Sequence, residues 1–166
     1  MHTYQELDSF EYWSITDKDQ FSISVLKGLI MDAVRKANSG HPGGAMSSAD
    51  FIYLLFKDYL KFDPKDPNWF DRDRFILSGG HMSMLQYGIL HLVGWMKLSE
   101  IKKFRQLGSQ TPGHPEVEIP GVECTTGPLG QGFAMGVGMA LAEAYLSNLI
   151  SNNDKESKKL IDHFTY

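Results

Sequence analysis

Three of the six histidines sit in loops built from glycine and proline: Ser39-Gly-His-Pro-Gly-Gly44, Gly79-Gly-His81 and Thr111-Pro-Gly-His-Pro-Glu116. An imidazole titrates near pH ~6.5, so His41, His81 and His114 can give or take a proton at a substrate hydroxyl at cellular pH. A single loop histidine is more often a surface residue than a catalytic one. Three of them, each beside glycine and next to a structured element, shift that balance. A fourth stretch, Gly127-Pro-Leu-Gly-Gln-Gly132, has three glycines and a proline in six residues, a backbone that another group can approach closely. Free N–H groups at a helix start favour an anion such as a diphosphate, both here and at His81. The turn lacks the Lys-Ser/Thr of a P-loop, and its glycine spacing is the reverse of the dinucleotide fingerprint. A tight packing turn is an equally good reading of it alone. No metal cluster is expected, because the histidines are dispersed, the only cysteine is Cys124 and CxxC spacing is absent. His2 and His163 lie in tails and His91 within a helix, so all three are expected to be structural or solvated.

The elements that must position these groups read as α/β. From Phe21, apolar residues recur at helical spacing (Val25, Leu26, Leu29, Ile30, Ala33, Val34, Ala37), with Asp17 or Asp19 as a cap and Asn38-Ser39-Gly40 as the stop. His41 to Gly44 reads as a loop. Ser47 with Asp50 resembles a capping box ahead of a second apolar face at Ile52, Leu55, Phe56 and Tyr59. Asp63-Pro-Lys-Asp-Pro-Asn68 breaks that helix. Phe75 to Ser78 is a short apolar run expected as a buried parallel strand, passing through Gly79-Gly80-His81 into a helix with Leu85, Ile89, Leu92 and Val93. Gly94 closes that helix, and Ser99 opens a shorter one through Phe104. The segment from Gly121 is expected as a short strand before the glycine turn. A helix from Phe133 to about Leu149 follows, rich in small residues suited to close packing. Ser151 to Lys159 reads as a loop and Phe164-Thr-Tyr166 as the start of another strand. In such folds ligands bind at the carboxyl ends of strands, where these histidine loops would gather. A parallel sheet with its next strand barely begun is expected to be the N-terminal piece of a longer protein.

At 166 residues, 42% apolar and 22% charged, the chain has the composition of a folded domain. A net charge of −4 gives no electrostatic reason to expect nucleic acid. Asp71-Arg-Asp-Arg74 reads as a mixed, solvated surface run. No apolar run is read as approaching the ~20 residues that span a bilayer, so no membrane is expected. Residues 1–14 lack a signal-peptide pattern, and a cytoplasmic location is the expectation. Met82, Met84, Met135 and Met139 read as packing residues.

Together the motifs are more specific than any one of them. Ser39 to Gly44, Asp71 to Phe75 with Leu77-Ser-Gly-Gly-His81, Leu107-Gly-Ser-Gln-Thr-Pro-Gly-His-Pro-Glu116, and Gly121-Val-Glu-Cys-Thr-Thr-Gly-Pro-Leu-Gly-Gln-Gly132 occur in the order seen in one family. The chain resembles the N-terminal part of transketolase, with residues 1–19 as an extension and 20–166 as a partial thiamin-diphosphate-binding domain. The resemblance implies an incomplete parallel-sheet fold, helix-rich as it stands. It also implies a parent enzyme that moves a two-carbon ketol unit from a ketose phosphate to an aldose phosphate in the pentose phosphate pathway, as a homodimer. The cofactor would supply the carbanion-stabilising chemistry. By resemblance His41 lies near the reactive carbon and contacts substrate oxygens, and His114 faces the cofactor and the donor sugar, both as catalytic residues. His81 contacts the cofactor diphosphate, and Gly127, Pro128 and Leu129 line the cofactor.

The family's Gly-Asp-Gly motif and later Asn, which hold Mg²⁺, do not occur in these 166 residues. The resemblance therefore implies that the isolated chain binds cofactor poorly and is inactive alone. Two other readings stand beside this one. One is the N-terminal subunit of a split enzyme completed by a C-terminal chain, or a non-catalytic interaction module. The other is a sister activity of the dihydroxyacetone synthase type. Thr111 to Glu116 and Thr125 to Gly132 favour transketolase over deoxyxylulose-phosphate synthase.

Overall fold

The computed structural model describes residues 4–150 and 160–166. His2 and the expected loop at Ser151 to Lys159 lie outside the described residues. Helix α1 (Ile15–Ala37) starts earlier than its apolar stripe, because the cap sets the boundary rather than the periodicity. Ser14 is in an extended conformation and its Oγ accepts the Asp17 N–H at 3.1 Å. Asn38, left-handed at φ 49°, ends the helix at the expected stop, and Arg35 and Lys36 lie in its negative last turn. A 3₁₀ segment (Tyr4–Tyr12) leads into α1. Phe10 and Trp13 pack on Phe21 with ring centres 5.8 and 5.5 Å away.

Two local expectations change. His41 to Gly44 is not a free loop: α2 (Pro42–Ser47) begins directly after His41, with proline in the first turn where a missing N–H costs nothing. Ser47 and Asp50 do not form a capping box. Ser47 Oγ donates to the Gly44 carbonyl at 3.1 Å, and the Asp50 carboxylate pairs with Lys27. Helix α3 (Ala49–Leu54) then widens into one π turn (Leu55–Tyr59). The core is organised on α4 (Ser83–Leu92), whose residues 83–90 are all buried and which packs on α1, α2, α3 and α5 (Leu98–Ile101). Gly88 lets α1 approach, since a methyl there would lie 2.5 Å from Leu26 Cδ1.

Among the described residues neither Phe75 to Ser78 nor the segment from Gly121 forms a strand, and the expected strand start at Phe164 to Tyr166 makes a single bridge. Phe75 to Ser78 is extended but has a partner only at its edge. A single parallel bridge joins Arg74 to Thr165, with Arg74 N–H to the Phe164 carbonyl (2.8 Å), Tyr166 N–H to the Arg74 carbonyl (2.8 Å) and Ile76 N–H to the Tyr166 carbonyl (3.0 Å). Three residues are too few to build a ladder. The segment 121–126 has no strand neighbour among the described residues. It is tied instead to the preceding loop through Thr126 N–H to the Pro115 carbonyl (3.2 Å) and Val117 N–H to Thr125 Oγ1 (3.1 Å).

The acidic-basic run is not the solvated surface that its composition suggests. Arg72 and Asp73 are 8% and 2% exposed. Asp73 accepts the backbone N–H groups of Lys61 (2.8 Å) and Phe164 (2.7 Å), and Asp71 accepts that of Asp162 (2.7 Å). These carboxylates supply the acceptors that a sheet neighbour would otherwise provide. Arg72 forms an ion pair with Glu123.

Helix α6 (Gln131–Ile150) forms as expected, but most of its apolar side chains are bare. Contrary to the reading of the bulk sequence, it is long and apolar enough to cross a membrane by length and composition. The same pattern also belongs to a helix meant to be covered by protein on all sides.

Candidate functional site

The structure brings the three loop histidines to one place. The rings of His41 and His81 meet edge to face, with centres 5.4 Å apart at 75°. His114 lies close enough to feel both. Burial first, then the charges of Arg105, His41 and His81, hold its pKa below the ordinary histidine value. Gly127 backs onto His114, and a methyl there would sit 3.8 Å from His114 Cδ2 with no closer neighbour. Pro128 and Leu129 follow at an exposed tip, where the Leu129 side chain is 77% exposed.

Two interlocked turns place His81 and the glycine turn. Thr126 Oγ1 donates to the Leu77 carbonyl at 2.8 Å, and Ser78 Oγ accepts the Phe133 N–H at 3.0 Å. The backbones pass so closely that a methyl on Gly80 would lie 2.8 Å from the Thr126 carbonyl oxygen. One on Gly132 would lie 2.7 Å from Ser78 Cα. Met82 fills the space between the His41 and His81 segments, packing on Gly44 and Gly79.

The His114 loop is carried by the buried helix α4. Ser83 Oγ donates to the Gly113 carbonyl (2.9 Å), and the Tyr87 hydroxyl lies between the carbonyls of Pro112 (3.0 Å) and His114 (3.1 Å). Burial pushes the Tyr87 hydroxyl far above the usual tyrosine range, so it is always a donor. Tyr87→Phe leaves both carbonyls without that donor and is expected to cost about 1–3 kcal/mol in urea denaturation. A loss below ~0.5 kcal/mol would reject this role.

Among the described residues no group of three or more His, Cys, Asp or Glu is arranged to hold a metal ion. His91 is structural, its Nδ1 2.8 Å from the Met96 carbonyl oxygen. His163 lies on the docked C-terminal segment, with Nδ1 buried and unpartnered. Sequence reading missed Tyr87, Ser83 and Thr126. Tyr87 carried a signal, a phenol inside an otherwise apolar helix stripe, whereas the two hydroxyl residues carried none.

The site therefore combines a neutral-leaning imidazole, two imidazoles in contact and an open backbone turn, groups chemically able to give or take a proton. Residues 18–166 match the family described as "Transketolase, thiamine diphosphate binding domain". The chain belongs to the transketolase family and is a helix-rich portion of that N-terminal domain. It is 57% identical over 145 residues to transketolase 2 of Escherichia coli, covering 86% of this chain and 21% of that protein. It is 52% identical over 151 residues to a transketolase of Staphylococcus epidermidis, covering 90% and 22%. Its fold superposes with a TM-score of 0.83 on the Pichia stipitis transketolase solved with sedoheptulose 7-phosphate, at 48% identity, covering 89% and 22%. The Leishmania mexicana transketolase gives the same TM-score at 43% identity and the same coverage. The chain thus spans about a fifth of the length of the relatives that it matches.

Proposed function

We propose that His41, His81, His114 and the Gly127–Leu129 turn form one wall of a thiamin diphosphate site, in a protein that transfers a two-carbon ketol unit from a ketose phosphate to an aldose phosphate. The observation that carries this reading is the convergence of three imidazoles on the open backbone at Gly127. The residues fit the cofactor in part. Gly127 leaves room for a close approach, and the bare Leu129 side chain offers an apolar surface to an aromatic ring. Thiamin diphosphate, when bound, supplies the electron sink for carbon–carbon cleavage. His81 donates a hydrogen bond to its diphosphate. His41 and His114 hold and move protons at the sugar oxygens, and the lowered basicity of His114 keeps it ready to accept one. Mg²⁺ belongs to the complete enzyme, and its ligands are expected from outside these residues.

This reading makes the 166 residues inactive alone, and calorimetry with thiamin diphosphate and Mg²⁺ should detect no micromolar binding. A chimera in which this chain replaces the matching 145 residues of the E. coli relative should transfer ketol units. In it His41→Ala is expected to lower kcat about 10²-fold or more with the cofactor affinity kept, and His81→Ala chiefly to weaken the cofactor. A folded chimera with the two effects exchanged would reject the role assignment. Formaldehyde tested as acceptor separates the dihydroxyacetone synthase reading.

A second reading, completion by a C-terminal chain or by a second copy in a homodimer, is favoured by the bare apolar face of α6. Covering by protein would also keep that helix out of a membrane and the protein cytoplasmic. Sedimentation of the chimera against the 166-residue chain checks this, since a monomeric chimera would argue against the homodimer.

A further inference from the structure

We propose that Arg105 is a positioning residue whose guanidinium ties the Ser39–His41 segment to the His114 loop and so fixes how the two imidazoles face each other. Arg105 stands in the left-handed region at φ 60°, unusual for a side chain of its size. Its own N–H donates to the Thr111 carbonyl at 2.8 Å, which closes the hairpin of chain leading to His114. From there the side chain reaches back 66 residues, and Nη1 donates to Ser39 Oγ at 2.7 Å. The preceding residue reinforces the tie. Phe104, 3% exposed, lies under Gly40, where φ is +135° and a methyl would come 3.0 Å from Phe104 Cε1. Two consecutive residues, 104 and 105, thus clamp two consecutive residues, 39 and 40, immediately before His41.

The other end of the clamp is Gly113. The guanidinium lies flat against it, since a methyl there would be 3.0 Å from Nε, 3.1 Å from Nη2 and 3.2 Å from Cζ of Arg105. Nε is buried with no partner, a cost that a side chain free to turn would avoid. An open hollow of about 690 Å³ borders Arg105, Gly113, His114 and Glu116, so the cation sits on the wall of the same space as His114. Burial first, then the charges of Arg105, His41 and His81, lower the His114 pKa, while Glu116 lies on the same hollow. Arg105 therefore ties the two loops together and adds its charge to the burial that already lowers the His114 pKa. The use of that setting for ketol transfer rests on the function proposed above, but the tie itself does not.

The test is NMR on the 166-residue chain without cofactor, so it stands whether or not thiamin diphosphate binds. Arg105→Asn keeps a residue that tolerates φ > 0 and removes the cation. It is expected to raise the His114 titration midpoint, and Arg105→Lys is expected to restore most of the depression. Ser39→Ala, which leaves the cation in place, is expected to speed amide exchange about tenfold in both the 38–41 and 111–114 segments. A His114 midpoint unmoved by Arg105→Asn, or Ser39→Ala effects confined to 38–41, would overturn the proposal. If Arg105→Asn loses its dispersed spectrum, the Ser39→Ala result decides.

Discussion

Glu123→Ala is expected to destabilise the folded chain by about 3–5 kcal/mol, a large share of a typical domain's stability. The side chains of Glu123 and its partner Arg72 are 9% and 10% exposed. Arg72 also donates to the Pro67 carbonyl (2.6 Å) and the Asp73 carbonyl (3.2 Å), so it cannot swing out to water when its carboxylate is removed. A second guanidinium, Arg74, stands 3.8 Å from the other Glu123 oxygen, and burial already draws its pKa down. Truncation leaves two crowded cations with no anion between them. Urea denaturation reads the loss directly, and Glu123→Gln should recover only part of it. A double replacement, Arg72→Met with Glu123→Leu, should recover most, since an apolar pair of similar volume can equal a buried ion pair. A Glu123→Ala loss under ~1 kcal/mol would mean that water reaches the pair and that the segment 121–126 is held by other means.

Gly132→Ala is the second large effect, and its sign is informative. In an exposed helix interior, alanine is more stable than glycine by about 0.5–1 kcal/mol. At Gly132 the added methyl would meet Ser78 Cα at 2.7 Å and Thr126 Cγ2 at 3.0 Å, and a backbone atom cannot rotate away. The start of α6 must then retreat from Ser78, stretching the Phe133 N–H bond to Ser78 Oγ. A net loss of about 1–3 kcal/mol is expected. Gly138, in the same helix with nothing within 4 Å of a Cβ, is the internal control, and Gly138→Ala should stabilise. Equal gains at both positions would disprove the close approach of the two turns.

Helices α1, α4 and α6 were legible in the sequence because their signals are local, whereas α2, which starts at Pro42 among glycines, reads as a loop. The α1 stop at Asn38, the α4 stripe and the small-residue α6 need only near neighbours to be read. The three histidine loops were legible as a set because glycine and proline mark them. The strands were not, because a strand is defined by a partner: Phe75 to Ser78 has the right residues, but among the described residues its backbone is bridged only at its edge, between Arg74 and Thr165. The acidic-basic run at 71–74 misled for a related reason. Composition cannot tell a solvated charge from one accepting a distant backbone N–H. Arg105 gave no sign because its meaning lies in a contact across 66 residues.

That docking of residues 160–166 onto Asp71 and Asp73 also has a kinetic side. Each carboxylate takes one backbone N–H from 91 residues away, a longer closure than the Leu26–Gly88 approach of α1 and α4 or the links of Asp71 and Asp73 to Lys61. Long-range closure costs chain entropy before it gains any contact, so the helical bundle should condense first and the terminal segment latch last. By the same logic the latch is expected to release before the helical bundle, which would bare Ile161 to a protease or a passing chaperone.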